Sequence, residues 1–196
     1  MSENSKIILI KNKLYRFDTY DESELTVGQL DAIHKGLNLA YGYRTQSFVS
    51  KPYGRCAPLK RITCTLQDKL IGHIAVFQDY VTLSDEKIKI GGVGLTFSLR
   101  PLAGLGFILR QLAVELCSKE GVPLAMGRVR NTARIKKNIG PLVSYFLHIP
   151  LIGTTTRSHD WETLAIYKTS SDTNLVAKLI ADFQKKGYVK IDGEIF

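Results

Sequence analysis

Residues 88–112, IKIGGVGLTFSLRPLAGLGFILRQL, change period part-way along. Up to Leu99 the pattern alternates. Leu95, Phe97 and Leu99 share one face and Thr96, Ser98 and Arg100 the other, as in a strand. From Leu105 the apolar residues are Leu105, Ile108, Leu109, Leu112, Ala113 and Leu116, one stripe of an amphipathic helix. Gly104 and Gly106 stand where strand passes into helix. The first amides of a helix have no partners within it, and the helix dipole makes that end partly positive. Glycine there removes the Cβ that would keep a phosphate away from the backbone. The same two glycines also suit tight packing of a helix on a sheet. The stretch is not a dinucleotide-binding fingerprint, because a third glycine is missing, nor a Walker loop, because GK[ST] is missing.

Working outward, Gly121 ends this helix and VPLAMGRV (122–129) follows as a strand, in the place a parallel crossover puts it. Asn131 can cap a further short helix, which Gly140-Pro141 breaks. Upstream, RITCTL (61–66) and LIGHIAVFQDYV (70–81) are strands joined by a tight turn near Asp68. A second turn around SDEK (84–87) leads to the strand 88–99, where Gly91, Gly92 and Gly94 suggest a bulge or a close backbone approach. Thr26 and Gln29 make a capping box for a helix from Val27 to Tyr41. WETLAIYK (161–168) is another strand. Asp172 caps a last helix, which Gly187 stops, and YVKI (188–191) closes the series. The order is α, then β-β-β, α-β-α and β-α-β. The expected fold is α/β (α+β), a mixed, mostly antiparallel central sheet with one β-α-β crossover, in a single domain over residues 1–196.

At 44% apolar residues the chain can bury an ordinary core. Four consecutive apolar residues, Ile7–Ile10, are too few for a signal peptide or membrane span. The three cysteines have no CxxC spacing and the four histidines no HxxxH, so no metal site is expected, and a reducing cytoplasm is. The net charge of +9 draws acidic partners. Arg128, Arg130, Arg134, Lys136 and Lys137 lie close together in the sequence, but no aromatic-interleaved basic motif points to nucleic acid. The same run also reads as a solvated helix face.

The strand ending in Leu99-Arg100-Pro101, the GLG turn, the amphipathic helix, the next strand and Asn131 together resemble the GCN5-related N-acyltransferase superfamily over about residues 60–146. A closer resemblance is to the nodulation protein A family, acyltransferases of chitooligosaccharides. It rests on KPYG (51–54), KR (60–61), RP with GLG (100–106), GVP (121–123) and VR (129–130). KLIGHIAVFQDYV (69–81) also looks like aminoglycoside N-acetyltransferases of the same superfamily.

The resemblance implies an N-acyltransferase moving an acyl group from a pantetheine thioester to a primary amine, one carried by an amino sugar among the options. The donor is acyl-CoA or acetyl-CoA, or an acidic acyl carrier protein. It places Leu99, Arg100, Ala103, Gly104, Leu105, Gly106, Arg130 and Asn131 at the donor, with the pantetheine between strands 88–99 and 122–129. Two departures favour a loosely held or carrier-borne donor. Ala103 replaces the usual Arg or Gln, and the usual tyrosine after Asn131 is missing, with Lys136 and Lys137 near its place. The alternatives are an acetyl-CoA-dependent aminoglycoside-type enzyme and a non-catalytic protein that binds acyl-CoA or nucleic acid.

Amide formation needs a base for the amine proton and backbone donors for the oxyanion, typically at a distorted strand. His73, on a strand face with Ala75, Phe77 and Asp79, is the base candidate by pKa range, or a packed strand histidine. The backbone N–H of Ser98 or Leu99 is the expected oxyanion donor. For the acceptor, Asp160 or Glu162 could hold an ammonium and Trp161 stack on a sugar, with Tyr41 and Tyr53 at the rim. Each of these also reads as ordinary packing.

Overall fold

The computed structural model describes residues 4–41, 57–99, 104–129, 133–152, 157–169 and 173–191. The chain divides into two compact units, Met1–Val76 with Leu95–Ala113, and Phe77–Gly94 with Val114–Phe196.

The first unit opens with a hairpin that the sequence reading lacks. Strands β1 (Ser5–Ile10) and β2 (Lys13–Asp21) pair antiparallel through Lys11 and Asn12. Both turn residues have positive φ, as in a type I′ turn, which twists with the strands it joins. In β2, Tyr15 and Phe17 are buried between exposed Leu14 and Arg16, the alternation of a half-buried strand. Helix α1 (Val27–Tyr41) begins as expected. Gln29 N–H donates to Thr26 Oγ1 at 3.3 Å, and Thr26 N–H donates back to Gln29 Oε1 at 2.9 Å. It buries Ile33 and Leu37, one turn apart, against Leu25 and Phe97.

Strand β3 (Lys60–Leu66) pairs with β2 on one side and with β4 (Lys69–Leu83) on the other, so this unit has the order β1-β2-β3-β4. The β3–β4 turn again has two positive-φ residues, Gln67 and Asp68. The end of β5 (Glu86–Ser98) and the first half of helix α2 (Leu105–Lys119) complete the unit. Leu105 and Leu109 are buried and lie within 3.4 Å of where a Cβ on Gly72 would be, so glycine lets α2 sit close on β4.

The second unit has the strand order β4-β5-β6-β8-β7-β9. The crossover is as expected: β5 and β6 (Ala125–Val129) are parallel, with Gly91 beside Ala125 and Gly92 beside Met126. A short helix α3 (Ala133–Ile139) ends at Gly140-Pro141. Strand β7 (Val143–Ile152) was not foreseen. It pairs antiparallel with β8 (Arg157–Tyr167), carries Pro150 and shifts register near both ends, which breaks the regular alternation that marks a strand. Helix α4 (Thr173–Lys186) buries Leu179 and Phe183 against Ile90, Met126, Leu164 and Ile166. Gly187, at φ +75°, ends it, and β9 (Val189–Lys190) joins β7 in parallel.

Two glycines of this unit exist for packing. A Cβ on Gly91 would lie 2.6 Å from Cys117 Sγ, and one on Gly127 2.6 Å from the Val93 carbonyl oxygen. The second obstacle is backbone and cannot swing aside. Glycine in a strand is normally the weaker choice, so Gly127→Ala elsewhere would stabilise. Here we expect it to cost about 1–3 kcal/mol. Urea unfolding checks this: the midpoint should fall with an unchanged m-value.

Candidate active site

The residues of interest that the structure describes in full lie in the first unit, around the end of β5 and the start of α2. Leu99 N–H donates to the Ile71 carbonyl at 2.8 Å, which holds the end of β5 on β4. That bond occupies the Leu99 N–H, so the expectation of an oxyanion donor there is corrected. Ser98 is exposed and is the last residue of β5.

Helix α2 then starts at Leu105. Its first intrahelical bond runs from Ile108 N–H to the Gly104 carbonyl, 2.9 Å, so the amides of Leu105, Gly106 and Phe107 precede the helical ladder. Gly104 has φ +106°, a conformation that only glycine adopts readily. Gly106 is different. It lies in the first turn of the helix and has no left-handed backbone angle. Among the described residues, a Cβ there would meet only the Arg110 guanidinium, at 3.5 Å, and a Cβ on Gly104 would meet nothing. Among the described residues, neither glycine brings α2 against the sheet. Arg110, whose NH1 donates to the Gly106 carbonyl at 3.2 Å, puts a cation one turn along.

The strand distortion expected among Gly91–Gly94 falls one residue later, on Leu95, at φ +49°. A leucine in this region costs about 1–2 kcal/mol, so something must hold it. His73 does: its ring Nδ1 and the Leu95 carbonyl oxygen are 2.9 Å apart. Arg61 NH1 lies 3.3 Å from His73 Nε2. A guanidinium only donates, so Nε2 accepts and Nδ1 carries the hydrogen that goes to Leu95. Glu22 holds Arg61 in turn, accepting from Nε at 2.6 Å and from NH2 at 3.3 Å. Phe97 stacks on the imidazole with centroids 5.6 Å apart. From the C-terminal end of α1, the Tyr41 hydroxyl donates to the Thr96 carbonyl. Two successive carbonyls of the distorted strand thus accept from side chains.

This network reassigns His73. The ring is wholly buried, and burial together with the Arg61 charge lowers its pKa from 6.5 to about 3, against the opposing pull of the Leu95 carbonyl. It is a neutral donor with both nitrogens engaged and no exposed surface. The expectation of a general base at His73 is therefore corrected. The sequence reading also missed Glu22 and Arg61. Arg61 alternates with Ile62 and Cys64 along β3, and a charged residue inside a strand was the available signal.

Of the other expected residues, Tyr41 is 40% exposed and beside the distortion. Asp160, Trp161 and Glu162 fall in β8, with their side chains outside the described residues. Tyr53, Arg100, Ala103, Arg130 and Asn131 also fall outside them. In the second unit Arg128 is on β6, and Lys136 and Lys137 are on α3, with Lys136 Nζ 5.7 Å from the Phe146 ring centroid. Cys64 and Cys117 are buried, with thiol pKa values pushed up to about 12 by burial, and so are poor nucleophiles. Among the described residues no helix is long and apolar enough to cross a membrane, and no group of His, Cys, Asp or Glu could hold a metal ion.

No protein-family model matches the sequence, and no curated protein matches it either. Solved structures do. ElaA of Escherichia coli aligns over 79% of this chain and 99% of its own, with a TM-score of 0.56 at 12% identity. An acyl-CoA N-acyltransferase from Pseudomonas aeruginosa aligns over 78% and 98%, at TM-score 0.53 and 12% identity. A probable N-acyltransferase from Enterococcus faecalis aligns over 69% of this chain and 33% of its own, at TM-score 0.50 and 12% identity. At such identities the likeness shows the fold, and the fold is that of the GCN5-related N-acetyltransferases, as the sequence reading expected.

The buried imidazole has a consequence for stability. Its pKa is lower folded than unfolded, so below pH 6.5 the unfolded chain binds the proton that the folded one refuses. The stabilising contribution is complete above pH 6.5 and is lost as pH falls towards 3, by at most about 1.4 kcal/mol per pH unit. His34, lowered by its own burial and by Arg61, adds a slope of the same sign, opposed by Asp31 and Glu22. Urea unfolding of wild type and His73→Asn between pH 4.5 and 7.5 isolates the His73 part. We expect the variant to show the shallower dependence.

Proposed function

We propose that this protein is an N-acyltransferase, moving an acyl group from a pantetheine thioester to a primary amine. The observation that carries the reading is Gly106. It stands in the first turn of α2 without a left-handed backbone angle, and among the described residues a Cβ there would meet only the Arg110 guanidinium, at 3.5 Å. What it permits is close approach of a ligand to the first amides of α2. Those amides, the positive end of the helix and Arg110 suit the diphosphate of coenzyme A.

The distorted strand in the same unit supplies the second requirement. In a trans peptide the carbonyl and the following N–H point in opposite directions. The Leu95 carbonyl turns to His73, so the Thr96 N–H turns away from it. That N–H, beside that of Ser98, is a donor to the oxyanion that forms when an amine attacks the thioester carbonyl. With His73 neutral and enclosed, the amine attacks as its free base and gives up its proton to solvent. The thiolate then leaves, protonated by water in the absence of the tyrosine found in the superfamily.

The acceptor class follows from the sequence. Asp160 and Glu162 in β8 suit an ammonium and Trp161 a sugar ring, which supports an amino sugar. The nodulation-like stretches favour a longer acyl chain, and the aminoglycoside-like stretch an acetyl group. A thermal-shift panel of CoA, acetyl-CoA and longer acyl-CoAs separates them. A ligand at 100 times its Kd adds about 2.7 kcal/mol of stability. A shift that grows with chain length supports the longer donor, and an equal shift for acetyl-CoA the acetyl enzyme.

The phosphate assignment has its own test in Gly106→Asp. An acidic residue in the first turn favours the free helix, so the variant should melt no lower than wild type. The same carboxylate repels a bound phosphate, and we expect KM for acyl-CoA to rise about tenfold or more. Unchanged donor kinetics in a folded variant would place the donor elsewhere.

A further inference from the structure

We infer that His73 is a positioning residue for acyl transfer: clamped by Arg61 and Glu22 from below, it fixes the Leu95–Thr96 peptide, and Tyr41 braces the same peptide's neighbour from α1. The inference rests on the transferase reading and goes beyond it, because it makes the rate depend on a group that never meets substrate.

The geometry runs in one direction. Glu22 takes two hydrogen bonds from Arg61, so the guanidinium has one orientation. That orientation aims NH1 at His73 Nε2, which fixes the tautomer and leaves Nδ1–H for the Leu95 carbonyl. Phe97 stacks on the ring and is itself only 2% exposed, and a Cβ on Gly36 of α1 would lie 2.2 Å from the Phe97 ring. The imidazole therefore has neither a rotational nor a tautomeric alternative. Leu95 in turn has no conformational preference for φ +49° and stays there because its carbonyl is held. The Thr96 carbonyl is held by the Tyr41 hydroxyl. Among the described residues, Glu22, Arg61, His73 and Tyr41, which hold this peptide, belong to the same compact unit.

A donor aimed at a developing oxyanion contributes only when its direction is fixed in advance. Loss of the clamp should therefore lower kcat and leave the KM for acyl-CoA, set at the start of α2, nearly unchanged.

The experiment compares His73→Leu with His73→Asn, using the full chain and the acyl-CoA and amine that give the highest wild-type rate. Both side chains branch at Cγ, but only asparagine has a donor near the place of Nδ1. We expect His73→Leu to lose about tenfold or more in kcat, with donor KM within about threefold of wild type. We expect His73→Asn to recover most of the rate. Folding of each variant is verified by circular dichroism at the assay temperature. If His73→Leu does not fold, Tyr41→Phe, altered at a partly exposed site, tests the same clamp: kcat should fall while the KM for the amine stays unchanged.

Equal rates in folded Leu and Asn variants overturn the positioning role. So does a Tyr41→Phe enzyme that raises only the KM for the amine, which would make Tyr41 a substrate contact. A wild-type protein that transfers no acyl group from any of these donors overturns the underlying transferase reading, and the inference with it. That result is distinct from an active wild type whose two His73 variants behave alike.

Discussion

A guanidinium with no exposed surface has to be answered by its neighbours, and Arg61 is such a group. Taking it out of water costs several kcal/mol, and only good geometry offsets that. Glu22 provides two hydrogen bonds, and His73 accepts a third. Burial, with the Arg61 charge added to it, keeps the imidazole neutral, and the guanidinium selects its tautomer and so turns Nδ1–H onto the Leu95 carbonyl. An apolar trio of the same size could fill this space at no loss of stability, but it could not hold a leucine in the left-handed region in the middle of a strand. The network contributes a direction for one peptide, at the point where the first unit leaves β5 for α2.

Much of this unit was legible in the sequence because it obeys local rules. The capping pair Thr26 and Gln29, the stripe from Leu105 to Leu116 and the strand–glycine–helix junction are all signals within a dozen residues. The N-terminal hairpin was missed for an equally local reason. Its turn is Lys-Asn, without the glycine that usually advertises a type I′ turn, and Ile7–Ile10 drew attention as an apolar run rather than as half of an alternating ribbon. In β7 the proline and the two register shifts hid the period.

At the candidate site the sequence marks positions more readily than roles. Glycines at 104 and 106 mark the end of a strand as somewhere a ligand could come close; among the described residues a Cβ at Gly104 would meet nothing and one at Gly106 only Arg110. His73 looked like a base because a strand position records only which face a residue is on. Whether that face is closed, and which nitrogen carries the hydrogen, depends on Arg61, twelve residues earlier, and on Glu22, thirty-nine before that. No periodicity joins these three. Leu99 was misjudged in the same way, since its amide belongs to a strand partner, Ile71, that pairing alone selects.

The glycines divide by cause. Gly91 and Gly127 make room for Cys117 and for the Val93 carbonyl, and Gly104 supplies a backbone angle. The sequence pattern suggested that the run from Gly91 to Gly94 would carry the strand's distortion. It falls on Leu95 instead. A glycine would adopt that angle freely and leave it as freely. A leucine is there only while its carbonyl is held, so the shape of the strand becomes conditional on a buried hydrogen bond. That arrangement stiffens the peptide more than glycine could, because the side chain of Leu95 penalises every small departure towards the neighbouring wells while His73 penalises departure from this one. A donor that must be aimed before the reaction begins is better served by a residue that resists the angle and is held in it than by one that merely allows it.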